Sequence, residues 1–286
     1  MSESADRDGR IDRIAAVDGA LDELVAAVAA SAKYRNVCET CVRRIGAREL
    51  ARRRSLKEAV KATKNQLHQV AGAYLAGKMP YGMWLGELRA ARTPEALEQA
   101  CRRIMASHAS TRERLPILSE FYRAIFAALP PVRTVVDVAC GLNPLALAWM
   151  PLAAGAEYYA YDLFTDMMDF IGQWLAMRGV GGRAEALDVT AECPTVPADL
   201  ALVLKVLPCL DQLDRSAAAE LLDGLATRHI VVSFPARSLG GRAKGMVANY
   251  AERFGALTAS RPWRVKRLAF PGELVFIVDK GEPVRP

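Results

Sequence analysis

Residues 134–151 read TVVDVACGLNPLALAWMP, and this stretch decides the fold of the chain. A valine-rich apolar run ends at Asp137, a turn containing Gly141 follows, and apolar residues then recur at helical spacing. This order predicts a β-strand, a tight turn and a helix, the unit with which an open α/β sheet presents backbone N–H groups to a cofactor. Ala139 and Asn143 stand where nucleotide-binding folds usually carry glycine, but asparagine tolerates the left-handed backbone conformation that such a turn requires.

Acidic residues end the next two predicted strands as well. Asp162 closes the run EYYAY, 25 residues after Asp137, and Asp188 ends a third short run. An acid at the tip of the second strand is placed to accept hydrogen bonds from ribose hydroxyls, and one at the third could contact an adenine edge. Each acid could instead be a helix N-cap or a turn residue. Together they predict a nucleotide-containing cofactor, either a dinucleotide or S-adenosylmethionine (AdoMet).

Composition and length narrow the class of protein. The chain has 286 residues, of which 52% are apolar, enough for one large domain and a smaller one. It has no run of about 18 uncharged apolar residues, the length that a membrane-spanning helix needs, and it begins with the polar segment MSESADRDGR. Six scattered cysteines are typical of reduced thiols in the cytoplasm, and Cys38-x-x-Cys41 lacks the second pair of ligands that a zinc site requires. These features predict a cytoplasmic protein with neither a membrane span nor a metal.

The first hundred residues carry only helical patterns, which predict helices over 12–32, 37–54, 56–74, 82–91 and 94–107. The segment 33–64 contains eleven lysines and arginines against three glutamates, whereas residues 1–30 are net acidic. Such a concentration of positive charge favours a polyanionic partner, although a solvated helix surface is the ordinary alternative. We therefore expect a helical domain, 1–107, followed by an α/β domain, 108–286.

The segment HASTRERLP, residues 108–116, joins the two predicted domains. Ser110 and Glu113 have the spacing of a helix capping box, which is one interpretation of this pair. Arg112 and Arg114 are not needed by a cap. Two guanidinium groups near the first turn of the sheet could hold a carboxylate, such as that of the methionine part of AdoMet.

Later segments place basic residues at the predicted ligand edge. The apolar strand DLALVLK ends at Lys205, and a lysine at the carboxyl end of a strand points toward the ligand crevice. A fifth strand, HIVVSF, leads into PARSLGGRAKGM, which carries three basic and no acidic residues, and the chain closes with a hairpin around Pro271–Glu273. A mostly parallel sheet closed by an antiparallel hairpin is the layout of class I AdoMet-dependent methyltransferases, whereas dehydrogenases usually end in parallel units. The predicted fold class is thus α/β, a Rossmann-like methyltransferase domain preceded by an all-helical N-terminal domain.

Four segments taken together, HASTRERLP, DVACGLNPLALAWM, LVLKVLPCL and VVSFPARSLGGRAKGM, resemble the aminoglycoside-resistance 16S rRNA methyltransferases. VKATKNQLH at 60–68 and FPGELVFIV at 270–278 fit the same pattern, so the resemblance covers about 34–280. Those enzymes of aminoglycoside-producing actinomycetes and resistant pathogens methylate N7 of guanine-1405 in the ribosomal decoding site. The resemblance implies the same activity here, with AdoMet as cofactor, S-adenosylhomocysteine as product and 16S rRNA within the 30S subunit as partner. It also implies resistance to kanamycin- and gentamicin-type drugs, and we expect a monomer.

The resemblance assigns roles to individual residues. It implies that Arg114 holds the AdoMet carboxylate, that Asp162 binds the ribose and that Asp188 lies beside the adenine. The other residues expected to line the cofactor are Ala139, Cys140, Gly141, Leu204, Lys205 and Gln212. Those expected to hold the target guanine and its flanking phosphates are Lys205, Arg242, Lys244 and Glu273. The expected RNA contacts are Lys61, Lys64, Arg237, Arg242 and Lys244. Glu273 could equally be a residue of the hairpin turn.

Guanine N7 has a free lone pair and no proton, so methyl transfer to it needs alignment rather than a general base. We therefore expect no catalytic residue in the strict sense. Three other activities stay open: RNA cytosine methylation with Cys209 as nucleophile, methylation of the neighbouring decoding-site adenine, and a non-catalytic role in ribosome assembly. A nicotinamide dehydrogenase is disfavoured because the turn lacks its glycines.

Overall fold

The computed structural model describes residues 18–69, 79–213, 216–236 and 246–281. Contacts divide the chain into two compact units, Met1–Ala73 and Tyr74–Pro286. The sequence pattern placed a domain boundary at residue 107, whereas by packing the two helices that precede this residue belong to the second unit. A separate docking function for residues 1–107 stays a prediction.

The first unit contains three described helices: α1 over 18–29, α2 over Glu39–Arg52 and α3 over Leu56–Leu67. Their fully buried apolar residues include Leu24, Val28, Ile45 and Leu67. Glu49 of α2 is buried as well, and its carboxylate accepts hydrogen bonds from Gln66 of α3 at 2.6 Å and from Arg53 at 2.8 Å. One carboxylate therefore ties α2 to α3. The predicted helices are confirmed in these ranges, and their continuations into 12–17 and 70–74 lie outside the described residues.

The second unit contains eight described α-helices. They are α4 (Tyr81–Ala90), α5 (Pro94–Met105), α6 (Ala109–Arg114), α7 (Leu118–Phe126), α8 (Thr165–Met177), α9 (Leu207–Leu213), α10 (Ala217–Gly224) and α11 (Met246–Thr258). Thr93 caps α5 by accepting a hydrogen bond from the backbone N–H of Ala96 at 3.2 Å, which confirms the predicted start of this helix. Across the described part of the chain, no helix has the length and apolar character needed to span a bilayer.

The described strands form one seven-stranded sheet in the order β3-β2-β1-β4-β5-β7-β6. They are β1 (Thr134–Val138), β2 (Glu157–Asp162), β3 (Gly181–Ala186), β4 (Ala198–Leu204), β5 (Thr227–Pro235), β6 (Arg264–Phe270) and β7 (Glu273–Asp279). The first five are parallel, and β7 lies antiparallel between β5 and β6, which confirms the predicted fold class. The chain visits β2 and β3 on one side of β1 before it crosses to β4 on the other. A crevice therefore opens between the carboxyl ends of β1 and β4.

The helix that follows β1 is a short 3₁₀ helix, Asn143–Trp149. Pro151 ends it, because the residue before a proline is pushed into an extended conformation, as Met150 is with φ −98° and ψ 114°. Trp174 of α8 donates from its indole nitrogen to the carbonyl oxygen of Pro144 at 2.9 Å. The first turn of the sheet is therefore held by a side chain of the next helix rather than by a long helix of its own.

Substitution of Gly182 in β3 tests how closely the backbones of β2 and β3 approach each other. Its φ is +100°, and a Cβ at this position would lie 2.2 Å from the backbone carbonyl oxygen of Tyr158 in β2. Gly155 is the matched control, since its φ is also left-handed, at +71°, but the space around it is open. We expect Gly155→Ala to lower the free energy of unfolding by about 1–2 kcal/mol, the cost of a left-handed alanine. Gly182→Ala should lower it further, because backbone atoms must move; equal losses in urea unfolding would contradict this.

Candidate active site

Residues with a left-handed backbone conformation lie at the carboxyl edge of the sheet. Among the described residues, only Ala139 and Lys205 have positive φ without being glycine, at 48° and 63°. Ala139 follows β1 and Lys205 follows β4, the strands that border the crevice, and Gly141 in the first turn has φ 53°. Asn143, the residue expected to tolerate this conformation, lies in the 3₁₀ helix instead. Such backbone costs of order 1–3 kcal/mol per non-glycine residue and persists where surrounding contacts hold it, as at functional sites.

Asp162 holds the first turn from the side of β2. Its Oδ2 accepts the backbone N–H of Gly141 at 2.9 Å, and its Oδ1 accepts the N–H of Leu163 at 2.7 Å. The backbone N–H of Cys140 donates to the carbonyl oxygen of Tyr161 at 2.9 Å, which extends the link between the two strands. Burial raises the pKa of Asp162, although the backbone N–H donors oppose this shift. An ionised carboxylate has about four acceptor positions, and the backbone donors of Gly141, Leu163 and Phe164 use three of them, so Asp162 retains capacity for about one further donor.

Arg114 of α6 is a fully buried cation. Glu273 accepts its Nη2 at 2.7 Å and its Nε at 3.2 Å, and Asn143 Oδ1 accepts its Nη1 at 3.0 Å. The guanidinium carbon also lies 4.6 Å from the ring centre of Phe121. Burial by itself would raise the pKa of Glu273, but the positive charges of Arg114 and Lys205 outweigh it and hold that pKa below its usual range. The pair is therefore ionised and nearly inaccessible to water.

Asn143 connects Arg114 to the first strand. Its Oδ1 also accepts the hydroxyl of Tyr122 at 2.5 Å, and its Nδ2 donates to Asp137 Oδ2 at 2.9 Å. The hydroxyl of Tyr158 reaches the same Asp137 oxygen at 2.6 Å. Burial raises the pKa of Asp137 to about 7, against the lowering effect of these two hydrogen bonds. Because donors face Oδ1 and a carboxylate faces Nδ2, the amide of Asn143 is satisfied in one orientation only.

Lys205 extends the ionic cluster toward the surface. Its Nζ donates to Glu113 Oε2 at 2.7 Å and to the carbonyl oxygen of Ser110 at 3.4 Å, and Glu273 Oε2 lies 3.4 Å away. Charges alternate from Arg114 through Glu273 and Lys205 to Glu113, so each buried charge has an opposite neighbour, as burial demands. The capping box suggested by Ser110 and Glu113 does not form, because Ser110 lies inside α6, whose N-cap is His108. Glu113 pairs with Lys205 instead.

Two predicted contacts are corrected by these positions. Arg112 is exposed and donates to the carbonyl oxygen of Ala106 at 3.4 Å, so only Arg114 of the two guanidiniums enters the site. Glu273 is not a residue of the hairpin turn, since it begins β7. Its side chain is 1% exposed and is held by Arg114 and Lys205, so it cannot touch a base in this arrangement.

The remaining predicted residues are distributed as follows. Asp188 lies two residues beyond β3, and its Oδ1 accepts the N–H and the hydroxyl of Thr190 at 3.1 and 2.5 Å, as a turn residue does. Cys140 and Leu204 are buried beside the crevice strands. The side chain of Gln212 and the whole of Arg237, Arg242 and Lys244 lie outside the described residues. Where the structure is described, no three or more His, Cys, Asp or Glu side chains are grouped so as to hold a metal ion.

Sequence reasoning missed the polar support of Arg114, namely Asn143 as a side-chain hub, Tyr122, which donates to Asn143, and Tyr158, which donates to Asp137. Tyr122 lies 21 residues from Asn143, Tyr158 lies 21 residues from Asp137, and Arg114 lies 29 residues from Asn143. Neither helical nor strand periodicity relates residues at such separations. The one available signal was that a buried tyrosine hydroxyl, such as one in the run EYYAY, needs a polar partner.

The chain is similar to known proteins over most of its length. Residues 30–277 match the family described as ribosomal RNA methyltransferase (FmrO). The chain is 40% identical over 268 residues to the 16S rRNA (guanine(1405)-N(7))-methyltransferase of Micromonospora rosea, which covers 92% of this chain and 98% of that protein. It is 43% identical over 267 residues to the protein of the same name from Frankia casuarinae, which covers 91% and 94%. Among solved structures it is similar to the 16S rRNA methyltransferase RmtF in complex with S-adenosyl-L-homocysteine, with a TM-score of 0.77, 35% identity and coverage of 93% and 98%.

Asn143→Asp tests whether the buried amide is the hub of the site. The change replaces the Nδ2 donor by an oxygen that faces Asp137, so two buried carboxylates meet. We expect the free energy of unfolding to fall by about 3–5 kcal/mol at pH 8, as when a buried charge loses its partner. Asn249→Asp, the same change on an exposed position of α11, should cost little and serves as the control.

The pH dependence of Asn143→Asp has a definite sign. Mutual repulsion raises the folded-state pKa of the two carboxyls above their unfolded values, so the folded protein binds more protons. The deficit relative to the unsubstituted protein should therefore shrink as the pH falls from about 8 to about 5. Urea unfolding at several pH values measures this, and a deficit independent of pH would contradict the arrangement.

Proposed function

The chain belongs to the ribosomal RNA methyltransferase (FmrO) family, and we propose that it transfers a methyl group from AdoMet to N7 of guanine-1405 in 16S rRNA. The observation that carries the proposal is the extent of the similarity, since two relatives named for this reaction each match over 90% of the chain. The substrate would be the 30S subunit, which implies a cytoplasmic protein. A monomeric state stays a prediction.

The side chains at the carboxyl edge of the sheet fit AdoMet. Asp162 retains acceptor capacity for a ribose hydroxyl, and Arg114 retains one N–H on each terminal nitrogen beyond its described bonds to Glu273 and Asn143. Those N–H groups suit the methionine carboxylate, but this contact would require neighbouring side chains to move, because the Arg114 side chain is only 1% exposed. Asp137 Oδ1 is buried without a partner among the described residues, an acceptor that an ammonium group would satisfy. The methionine part of AdoMet would lie along the turn formed by Ala139, Cys140 and Gly141. Its adenine would lie beside Asp188 and Leu204.

AdoMet, when bound, supplies an electrophilic methyl group on a sulfonium. The protein then has to align guanine N7 with it, and positioning of this kind contributes about 7–11 kcal/mol to lowering a barrier. No side chain has to accept a proton, because N7 carries none. The acids of the site are engaged in holding Arg114, Lys205 and the first turn, which is consistent with a site that works by alignment.

Lys205, Arg242 and Lys244 are proposed to hold the flipped guanine and its flanking phosphates. All three donors of the Lys205 ammonium face described acceptors, namely Glu113, Glu273 and the Ser110 carbonyl. A contact from Lys205 to the guanine would require one of these bonds to exchange. Glu273 is proposed to act indirectly, because it holds Arg114 and Lys205 in place and does not touch the base.

Methylation at N7 explains resistance without any chemistry on the drug. The methylated ring loses an acceptor and becomes cationic. A polycationic aminoglycoside would lose a hydrogen bond there, at a cost of about 1–3 kcal/mol, and meet a like charge. We expect a susceptible bacterium that expresses this chain to resist kanamycin- and gentamicin-type drugs.

The test of the function uses purified 30S subunits incubated with the protein and AdoMet. Borohydride and aniline cleave RNA at N7-methylguanine, and primer extension locates the break. Cleavage at guanine-1405 is expected. A primer-extension stop at the neighbouring adenine without cleavage would show the same enzyme class with another target base. If the protein binds AdoMet but leaves the RNA unmodified, the assignment of 16S rRNA as substrate is wrong and a role as an assembly factor is favoured.

Asp162→Asn should weaken AdoMet binding at least tenfold, because hydrogen bonds to a charged acceptor contribute about 1.5–3 kcal/mol each. Calorimetry of AdoMet binding measures the change. Asp169→Asn, on the exposed side of α8, is the matched control and should bind as the unsubstituted protein does. Equal affinities for the two variants would refute the ribose role of Asp162.

The RNA-docking role of the first unit rests on cations that lack acidic partners. Arg43 pairs with Asp22 and Glu39, both at 2.6 Å. Helix α3 carries three lysines at helical spacing, Lys57, Lys61 and Lys64. In contrast to Arg43, these lysines form no ion pair among the described residues. Such lysines contribute little to stability and remain available to phosphates.

Lys61→Glu combined with Lys64→Glu should weaken 30S binding and reduce the dependence of log K on log salt concentration by about one per lost phosphate contact. Lys266→Glu combined with Arg267→Glu makes the same change of net charge on the exposed strand β6 and should have a smaller effect. Filter binding at several salt concentrations measures both. Unchanged 30S affinity in the α3 variant would end the docking hypothesis.

A further inference from the structure

Glu113 of α6 is an acid of the candidate site to which the proposed function gives no contact with the substrate. Its Oε2 accepts a hydrogen bond from Lys205 Nζ at 2.7 Å, whereas its Oε1 accepts none from the residues that the structure describes. The side chain is 35% exposed. An ionised carboxylate has about four acceptor positions, so about three of them remain at Glu113 for donors that approach from the solvent.

The other acids of the candidate site are bonded to neighbours or shielded from solvent. Asp162 accepts backbone N–H groups from the first turn and from the residues that follow β2. Asp137, Asp188 and Glu273 are each at most 2% exposed. Among these described acids, Glu113 is therefore the one with the most acceptor positions open to an incoming base.

Lys205 places a hydrogen-bond donor beside these acceptors. One of its three contacts is to the carbonyl oxygen of Ser110, at 3.4 Å. This contact costs the least to exchange, because a neutral carbonyl attracts an ammonium group less than a carboxylate does. When it is exchanged, Lys205 stays paired with Glu113 and Glu273 and has one N–H group for a ligand. Lys205 and Glu113 then present a donor next to two acceptor oxygens.

This order of groups is complementary to the Watson–Crick edge of guanine. That edge carries the acceptor O6, the donor N1–H and the donor N2–H in sequence. O6 would face Lys205, and the two N–H groups would face Glu113, while N7 stays free on the other side of O6. Adenine carries a donor at N6 and an acceptor at N1, so both positions would meet a group of the wrong kind. Enzymes that act on flipped bases read this edge by hydrogen bonds.

We propose that Glu113 is a specificity-determining residue for the target base, whose carboxylate accepts N1–H and N2–H of the flipped guanine while Lys205 donates to O6. This inference rests on the proposed function, because it concerns the same methyl transfer. Glu113 contacts the edge of the base that lies away from N7, so it takes no part in breaking or forming a bond.

The test compares two kinds of 30S subunit, the natural one and one whose 16S rRNA carries adenine in place of guanine-1405. Tritiated AdoMet labels the methyl group, and chromatography of the digested RNA separates 7-methylguanosine from 7-methyladenosine. The unsubstituted protein should prefer guanine by at least about 100-fold in kcat/KM, because a polar site rejects a base whose groups do not match.

Glu113→Gln should lower kcat/KM on natural subunits by about tenfold or more, because the amide has only one acceptor oxygen. The preference for guanine should also fall by about tenfold or more, since the amide can donate to N1 of adenine. Glu113→Asp retains a carboxylate and should keep the preference within about fivefold of that of the unsubstituted protein. Glu120→Gln removes the same charge from an exposed position of α7 and serves as the control, with both rates within about twofold.

A ratio of two kcat/KM values is independent of the fraction of protein that is folded, so a loss of stability cannot produce the expected change. An equal loss on both kinds of subunit in Glu113→Gln, complete loss included, would overturn the proposal and leave Glu113 as a support of Lys205 only. Equal activity of the unsubstituted protein on guanine and adenine would overturn it as well. If the unsubstituted protein methylates neither kind of subunit, the proposed function fails instead.

Discussion

The ion pair between Arg114 and Glu273 is the interaction on which the rest of the site depends. The two residues are 159 positions apart, and both side chains are only 1% exposed. Removal of a charge from water costs several kcal/mol, so neither group tolerates burial without the other. Glu273 begins β7, the strand that lies between β5 and β6, and Arg114 ends α6. The pair therefore binds the segment before the sheet to the last hairpin, and the site is complete only when the final strand is in place.

Because this pair is buried, further buried polar groups are needed to complete its hydrogen bonds. Arg114 has donors that Glu273 does not use, and Asn143 accepts one of them. Asn143 in turn needs an acceptor for its own amide, which Asp137 provides, and Tyr122 and Tyr158 complete the set. Each group satisfies a neighbour that would otherwise be costly in a low-dielectric interior. A rigid polar network of this kind suits an enzyme whose task is alignment, because the substrate nitrogen needs no proton transfer.

Charges in the two units serve different ends. In the α/β unit the buried charges of Arg114, Glu273 and Lys205 alternate in sign and end at the exposed Glu113, so their effect is structural. In the helical unit the lysines of α3 project from exposed or half-exposed positions without acidic partners among the described residues. Exposed, unpaired cations add little to folding stability, but they raise the affinity for a polyanion in a salt-dependent way. The same residue types thus support a proposed cofactor site in one unit and a proposed RNA surface in the other.

Local sequence patterns were sufficient for the elements of the fold. Apolar periodicity, the Thr93-Pro94 start signal and the strand-ending acids predicted the helices, the parallel sheet and the crevice edge, because each depends on neighbours within a few residues. The quoted segments were long and unusual enough to indicate the family as well. What periodicity could not provide was the choice of partner. Ser110 and Glu113 fit a capping box in sequence, yet Glu113 pairs with Lys205, 92 residues away.

The positions of the left-handed residues also depend on contacts between distant parts of the chain. Asn143 was the residue whose type suited a left-handed turn, but the structure uses Ala139 and Lys205, which carry no intrinsic preference for it. Hydrogen bonds from the neighbouring strand hold the first turn, and these contacts exist only once the sheet has formed. The sequence by itself determined which segments become helices and strands, the order in which they meet and the family to which they belong. Only the tertiary structure decided which charges pair, which amide is the hub and which residues carry the strain, because burial makes those choices between residues far apart in the chain.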